Sequence, residues 1–254
     1  MKPIHSDPKL SAQSYPVDYG SPRRAALAGV REACGAPALV LGASYLGFGS
    51  LVRESGLSLG VGLFSTISTW ALPGQVALVE LYALGASVVA IFIAVALTNA
   101  RMMPMTITLM PLLRVPGRPR WWNYLVAHLI AVTGWAVAMI RCPDMPPAQR
   151  MPFFVGFAGT ILGAALAGTV AGFLASGVVP PAVSLGLVFV NPMYFMLLFL
   201  GDLRHRGRVL ALVCGAIAGP LLHLVTPTWG LLLTGVIGGV LAFAIDRQLR
   251  RRHV

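Results

Sequence analysis

The sequence predicts an all-α polytopic integral membrane protein, and three observations predict it. The chain has 254 residues, 57% of them hydrophobic and 11% charged, whereas about a quarter of the residues of a soluble domain are charged. Apolar segments of roughly 18 residues or more follow one another along its length, as membrane-spanning helices require. None alternates in the manner of a transmembrane β-strand, whose segments run to about ten residues. The expectation is six to eight hydrophobic segments in one domain, set out as two pseudo-repeat halves whose second segments are broken or re-entrant.

The net charge is +11, but the arginines lie between and beyond the apolar segments, where membrane proteins keep their cytoplasmic charge. Anionic lipid, not nucleic acid, is the partner that this placement implies. It also puts both termini in the cytoplasm. The three cysteines, Cys34, Cys142 and Cys214, have the spacing of neither a metal site nor a disulfide framework. Of eight acidic residues, only Glu80 lies well inside a segment. Without a paired carboxylate, a metal cluster or a nucleophile constellation, no enzyme and no cofactor is expected.

Taken in order, residues 1–21 are polar and proline-containing, with no apolar core after the lysines. They read as a disordered cytoplasmic tail and not a signal peptide. Residues 22–246 form the single transmembrane domain and 247–254 a basic cytoplasmic tail. Leu27, Val30 and Cys34 are spaced as one helical face, with Arg23, Arg24 and Arg31 elsewhere, which suggests a short helix on the membrane surface. A first span at 36–52 carries Gly42, Gly47 and Gly49, small residues that let helices approach. A second segment, 57–84, is too long for one upright crossing and is interrupted at Pro73, Gly74 and Gln75. A third, 86–113, carries Asn99, Arg101, Pro104 and Pro111. Trp121, Trp122 and Tyr124 mark an interface before a fourth span at 124–140.

The second half repeats this order over 153–245. A fifth span at 153–175 holds Gly159 with Gly163 and Gly168 with Gly172, two pairs at the spacing of close helix contacts. A sixth segment, 180–200, has Asn191 and Pro192 near its middle. A seventh at 209–225 carries Pro220 and His223, and an eighth at 229–245 precedes the basic tail. Interrupted segments at corresponding places in two halves, 36–140 and 153–245, are the mark of a transporter's binding site. Charge counts favour cytoplasmic termini whether the second and sixth segments cross or re-enter.

The ordered stretches RAALAGVREACGAPALVLG, GFGSLVRESGLSLGVGLFS, ALPGQVALVELYALGAS and LTNARMMPMTITLMPLL resemble the AzlC family, the large permease subunit of branched-chain amino-acid exporters. The resemblance covers most of 24–245 and is strongest over 36–114. It implies a secondary transporter in the plasma membrane that exports branched-chain or other small apolar amino acids, coupled to protons. It also implies a separate small membrane subunit of the AzlD type. The chain departs from the family pattern at Ala43-Ser44-Tyr45, where Pro-Phe-Gly is common. It departs again at Leu72-Pro73-Gly74-Gln75, where a Gly-Ser/Ala-x-Gln break is common.

The candidate substrate-binding residues are Ser68, Pro73, Gly74, Gln75, Asn99, Arg101, Asn191 and Pro192. Gln75 can bond a zwitterion or satisfy backbone freed by the break. Arg101 suits a carboxylate, or it snorkels to the interface. Leu72, Val76 and Phe92 are candidates for an apolar wall. Glu80, His128 and His223 are the proton-coupling candidates, histidine being the side chain that titrates near neutrality. The alternatives are a passive channel for small neutral solutes and a non-transporting scaffold whose glycine faces bind partners.

Overall fold

The computed structural model describes residues 15–115, 119–178, 180–200, 206–225 and 230–251. Among them the regular elements are α1 (Pro22–Ala33), α2 (Ala36–Glu54), α3 (Leu59–Thr69), α4 (Leu72–Ala83), α5 (Val88–Asn99) and α6 (Met102–Leu113). There follow α7 (Arg120–His128), α8 (Val132–Arg141), a 3-10 turn (Cys142–Asp144), α9 (Pro147–Ala175), α10 (Pro181–Leu200), α11 (Arg206–Val225) and α12 (Gly230–Arg251). The chain divides into two compact units, 1–188 and 189–254. Helices α2 and α9 are each long and apolar enough to cross a membrane, and the bent pairs α5–α6 and α7–α8 reach that length only together.

The spine of the first unit is α9 packed along α1 and α2. Glycine makes the approach possible: a Cβ on Gly172 would collide with the Leu46 carbonyl, and one on Gly168 with the carbonyl of Gly42. Lower down, Gly156 meets Ala26 and Gly29 meets Phe153 in the same way. Residue numbers rise together along both sides of this seam, so α2 and α9 run parallel. Of the two glycine pairs read from the sequence, Gly168 with Gly172 makes close contact. Gly159 and Gly163 face open space.

With 29 residues, α9 is about 43 Å long at 1.5 Å per residue, more than the roughly 30 Å of a hydrocarbon core. Its first turns therefore project beyond α2, and α1 covers them. Helix α1 is capped by Ser21 Oγ, which accepts from the Arg24 amide at 3.3 Å, and buries Ala25, Gly29 and Ala33. It lies along α9.

The N-terminal segment, expected to be disordered through residue 21, is packed from Tyr15 onward. The Val17 amide donates to the Asp144 carbonyl at 3.1 Å, and the Tyr19 amide to Gln149 Oε1 at 3.0 Å. The Tyr19 ring stacks on Phe153, and Gln149 Nε2 donates to Asp18 Oδ1. Residues 1–14 of the predicted tail, and 252–254 of the C-terminal one, lie outside the described residues.

The predicted second segment is two helices, α3 and α4, which meet at Trp70 and Ala71. The break precedes Pro73, which sits in the first turn of α4, where its missing N–H costs nothing. The third segment bends by 44° between α5 and α6, with Ala100 and Arg101 at the bend. The fourth is two helices: α7 and α8 bend by 111° after His128. In the sixth segment α10 runs through Asn191 and Pro192 without interruption. Proline there removes one hydrogen bond, and a helix accommodates it by bending. The interruption expected there, the counterpart of the break in the first half, is therefore absent.

The second unit contains a helical hairpin. A Cβ on Gly238 would lie 3.5 Å from the backbone of Gly215, and one on Gly219 would lie 3.7 Å from the Thr234 methyl. Residue numbers fall on one side as they rise on the other, so α11 and α12 are antiparallel.

Candidate functional site at the helix breaks

Three chain breaks meet inside the first unit. The first is Trp70 and Ala71, between α3 and α4. The second is Ala100 and Arg101, between α5 and α6. The third runs from Leu129 to Ala131, between α7 and α8. The outer ends of the α3–α4 and α5 helices are conventional: Ser58 caps α3, Ser87 caps α5, and Gly85 turns the chain after α4 with φ +71°. The inner ends are not. Helices α4, α6 and α8 all begin without a side-chain cap, after Ala71, Arg101 and Ala131. Their first-turn amides lack intrahelical acceptors and carry the positive end of each helix dipole.

Trp70 holds the first break. Its backbone is left-handed, φ 48° and ψ 34°, a conformation that is costly for a bulky residue and gathers at functional sites. Tertiary contacts hold it there. The indole Nε1 donates to the Leu129 carbonyl at 3.3 Å, and the ring stacks on Tyr45 with centroids 6.4 Å apart. A second bond joins the same two breaks, 2.6 Å between His128 Nε2 and the Ile67 carbonyl. Since a carbonyl only accepts, Nε2 carries the proton. Tyr45, Phe48, Trp70, Leu72, Ala131 and Phe157 form one apolar cluster around the breaks.

Gln75 is fully buried and completely engaged. Its Oε1 accepts from the Tyr45 hydroxyl at 2.7 Å, and its Nε2 donates to Thr66 Oγ1 at 3.0 Å and Ser65 Oγ at 3.2 Å. Both hydroxyls donate onward to the Gly62 carbonyl, and Thr66 also meets Thr169 of α9 at 3.5 Å. Residues nine and ten apart on a straight helix are separated by about 14–15 Å. These bonds therefore require the chain to bend between α3 and α4. Gln75 clamps α3 and α4 to α2 through side-chain hydroxyls, and its side chain bonds none of the backbone freed by the break.

Asn99 is placed differently. It lies against Gly74, where a Cβ would meet Oδ1 at 2.8 Å. That Oδ1 is buried and has no hydrogen-bond partner among the described residues. Arg101 is exposed at the adjoining break and heads α6. Gly74, Asn99 and Arg101 are thus gathered at the open start of α4 and α6, with Pro73 one residue away. Ser68 is not. It is exposed, and its hydroxyl donates back to the Phe64 carbonyl at 2.7 Å.

Glu80 is exposed on α4 and forms no ion pair with Arg101. Leu72 belongs to the apolar cluster, whereas Phe92 is 71% exposed on α5, a helix with no buried residue. Pro192 lies within α10. The side chains of Asn191 and His223 lie outside the described ones.

The reading of the sequence missed Tyr45, Ser65, Thr66 and Thr169 as partners of Gln75. The signal was present in part, since each is a polar side chain within an apolar run. It missed Trp70 and Leu129 altogether, because nothing in an apolar run of Leu, Ile and Ala marks a break.

Among curated proteins and among solved structures nothing matches the chain. The family model described as AzlC protein matches residues 37–179, which takes in α2 to α9 with all three breaks and more than half of the chain. The chain therefore belongs to the AzlC family, a transport family, and is an α-helical membrane protein.

Proposed function

We propose that this protein is a secondary transporter that exports branched-chain or other small apolar amino acids across the plasma membrane, coupled to protons. The observation that carries the reading is the buried, unpartnered Asn99 Oδ1 beside the uncapped start of α4. An acceptor oxygen without a donor is complementary to an ammonium group. The uncapped start of α4, with the Arg101 guanidinium, is complementary to a carboxylate. A zwitterion presents both groups two bonds apart on one carbon. Broken membrane helices that expose such partial charges are a recurrent basis of solute binding in transporters.

On this reading Gln75 and Pro73 shape the site without touching the solute, and Asn99, Gly74 and Arg101 form it. His128 is the proton-coupling group that the geometry favours, because it links two breaks directly. Glu80 stands apart from them. A small AzlD-like membrane subunit completes the working transporter, and both termini face the cytoplasm. Flux of radiolabelled leucine, isoleucine and valine into proteoliposomes, with and without that subunit and under an imposed proton gradient, tests the proposal. Saturable, gradient-driven flux is the expected result. A fast unsaturable water or glycerol response with no amino-acid flux would point to a passive channel instead.

A further inference from the structure

Helices α2 and α9 run parallel along their glycine seam, so they cross the membrane in the same direction. Three segments lie between them: α3–α4, α5–α6 and α7–α8. For α9 to start on the side from which α2 started, an odd number of these segments must cross. Two of the three are sharply broken. Helices α7 and α8 bend by 111°, and the chain bends at Trp70 and Ala71 enough for Gln75 to bond Ser65 and Thr66. The α5–α6 pair bends by only 44° and is the one that crosses.

We propose that α3–α4 and α7–α8 are two re-entrant hairpins that enter the membrane from opposite sides and meet tip to tip. Their junction, Trp70 on Leu129 and His128 on Ile67, is the gate of the solute route. The topology stands without the transport reading; the gate rests on it.

Charge supports the topology independently. With both hairpins re-entrant, the arginines at 114–120 and 141–150 fall on the same side as those of α1. Arg53 is then alone on the other side among the first unit's described arginines, Arg101 at the mid-membrane bend aside. If all three segments crossed, Arg114 and Arg120 would join Arg53 and weaken the asymmetry that orients membrane proteins.

The chemistry of the junction suits a gate. Both bonds end on backbone carbonyls, of Ile67 in the last turn of α3 and Leu129 just past α7. These are carbonyls that helix ends leave free and that lipid cannot satisfy. The opposite hairpin satisfies them when the tips are together. Water or solute satisfies them when the tips part, so both states are accessible within the membrane.

Because the acceptors are backbone atoms, cysteine can replace Ile67 and Leu129 without removing either bond. The first arm of the test uses a chain with Cys34, Cys142 and Cys214 replaced by alanine and a membrane-impermeant maleimide on vesicles of known orientation. Ser55→Cys and Leu84→Cys should label from one side, and Val115→Cys and Asp144→Cys from the other. Labelling of Ser55→Cys and Leu84→Cys from opposite sides would overturn the hairpin topology. The second arm joins Ile67→Cys to Leu129→Cys with a reducible bifunctional methanethiosulfonate. Flux should fall at least tenfold and return on reduction. Unchanged flux through the joined protein would overturn the gate. Loss of all flux in the unmodified wild type would instead count against the transport reading and leave the labelling result standing.

Discussion

The Tyr45 hydroxyl donates to Gln75 Oε1 at 2.7 Å in a site where Gln75 has no exposed surface. The pair joins α2 to the first turn of α4. Tyr45→Phe removes the donor and leaves Oε1 buried and unsatisfied, at a cost of about 1–3 kcal/mol. Adding Gln75→Leu removes the orphaned acceptor, while Ser65 and Thr66 keep the Gly62 carbonyl. Equilibrium unfolding in detergent should show the double variant losing less than the sum of the two single losses, a coupling of about 1 kcal/mol or more. Simple additivity would mean that the pair does not hold the hairpin.

The seam between α2 and α9 makes opposite predictions for two glycines in the same helix. Gly172→Ala drives a methyl group into the Leu46 backbone, which neither helix can yield without separating. Its cost should exceed the roughly 1 kcal/mol that alanine gains over glycine in a helix interior. Gly163→Ala meets nothing within 4 Å and should keep that gain. Unfolding midpoints of the two variants should therefore move in opposite directions. A loss at Gly163 equal to that at Gly172 would mean that a further partner covers the open face.

These cases show what was legible in the sequence and why. The membrane class followed from apolar length, because lipid demands continuous helices and tolerates few charges. The first break was nearly located because proline and glycine gather in the first turn of a new helix, so Pro73 and Gly74 mark the start of α4 rather than the break itself. The break at Leu129–Ala131 was illegible. No proline or glycine marks it, and the indole of Trp70, 59 residues away in the chain, binds the carbonyl it frees. Pro192 misled for the converse reason: one lost hydrogen bond bends a helix without ending it. Gln75 and Asn99 looked alike as amides in apolar runs. Only their neighbours distinguish a saturated clamp from an open acceptor.

The packed N-terminal strap should respond to acid and not to neutral pH. The Gly20 amide and the Gln149 side chain both donate to the Asp18 carboxylate and hold its pKa below the usual value of 3.8. A carboxyl group whose folded pKa is depressed contributes stability that is fully present above its unfolded pKa and is lost as pH falls through the folded one. The strap should stay docked from neutral pH to just above 4, and loosen only below the ordinary carboxylate value. Hydrogen exchange at Val17 and Tyr19, whose amides are bonded to Asp144 and Gln149, reads this directly. Corrected for its intrinsic pH dependence, protection should be constant between pH 7 and 5 and fall only below the ordinary carboxylate value of 3.8. Asp18→Ala should lose protection at every pH.

The last prediction concerns Arg101, at the bend between α5 and α6. Both flanking helices are apolar, and an arginine at the centre of a membrane helix costs about 2.5–3.5 kcal/mol on insertion scales. It has no ion-pair or hydrogen-bond partner among the described residues, and it heads a helix that begins without a side-chain cap. If the guanidinium only reached for the interface, lysine would serve as well, because its stem is also long and apolar. If it holds a carboxylate by two parallel bonds, lysine cannot reproduce the fork. Arg101→Lys should therefore insert and express normally but lose most transport. Asn99→Ala, which removes the open acceptor for the ammonium, should lose affinity for zwitterions more than for their deaminated acids. Flux of leucine and of its 2-keto acid, measured side by side in proteoliposomes, separates the two roles. Full leucine transport by a normally expressed Arg101→Lys variant would show that this residue anchors the bend and binds no solute.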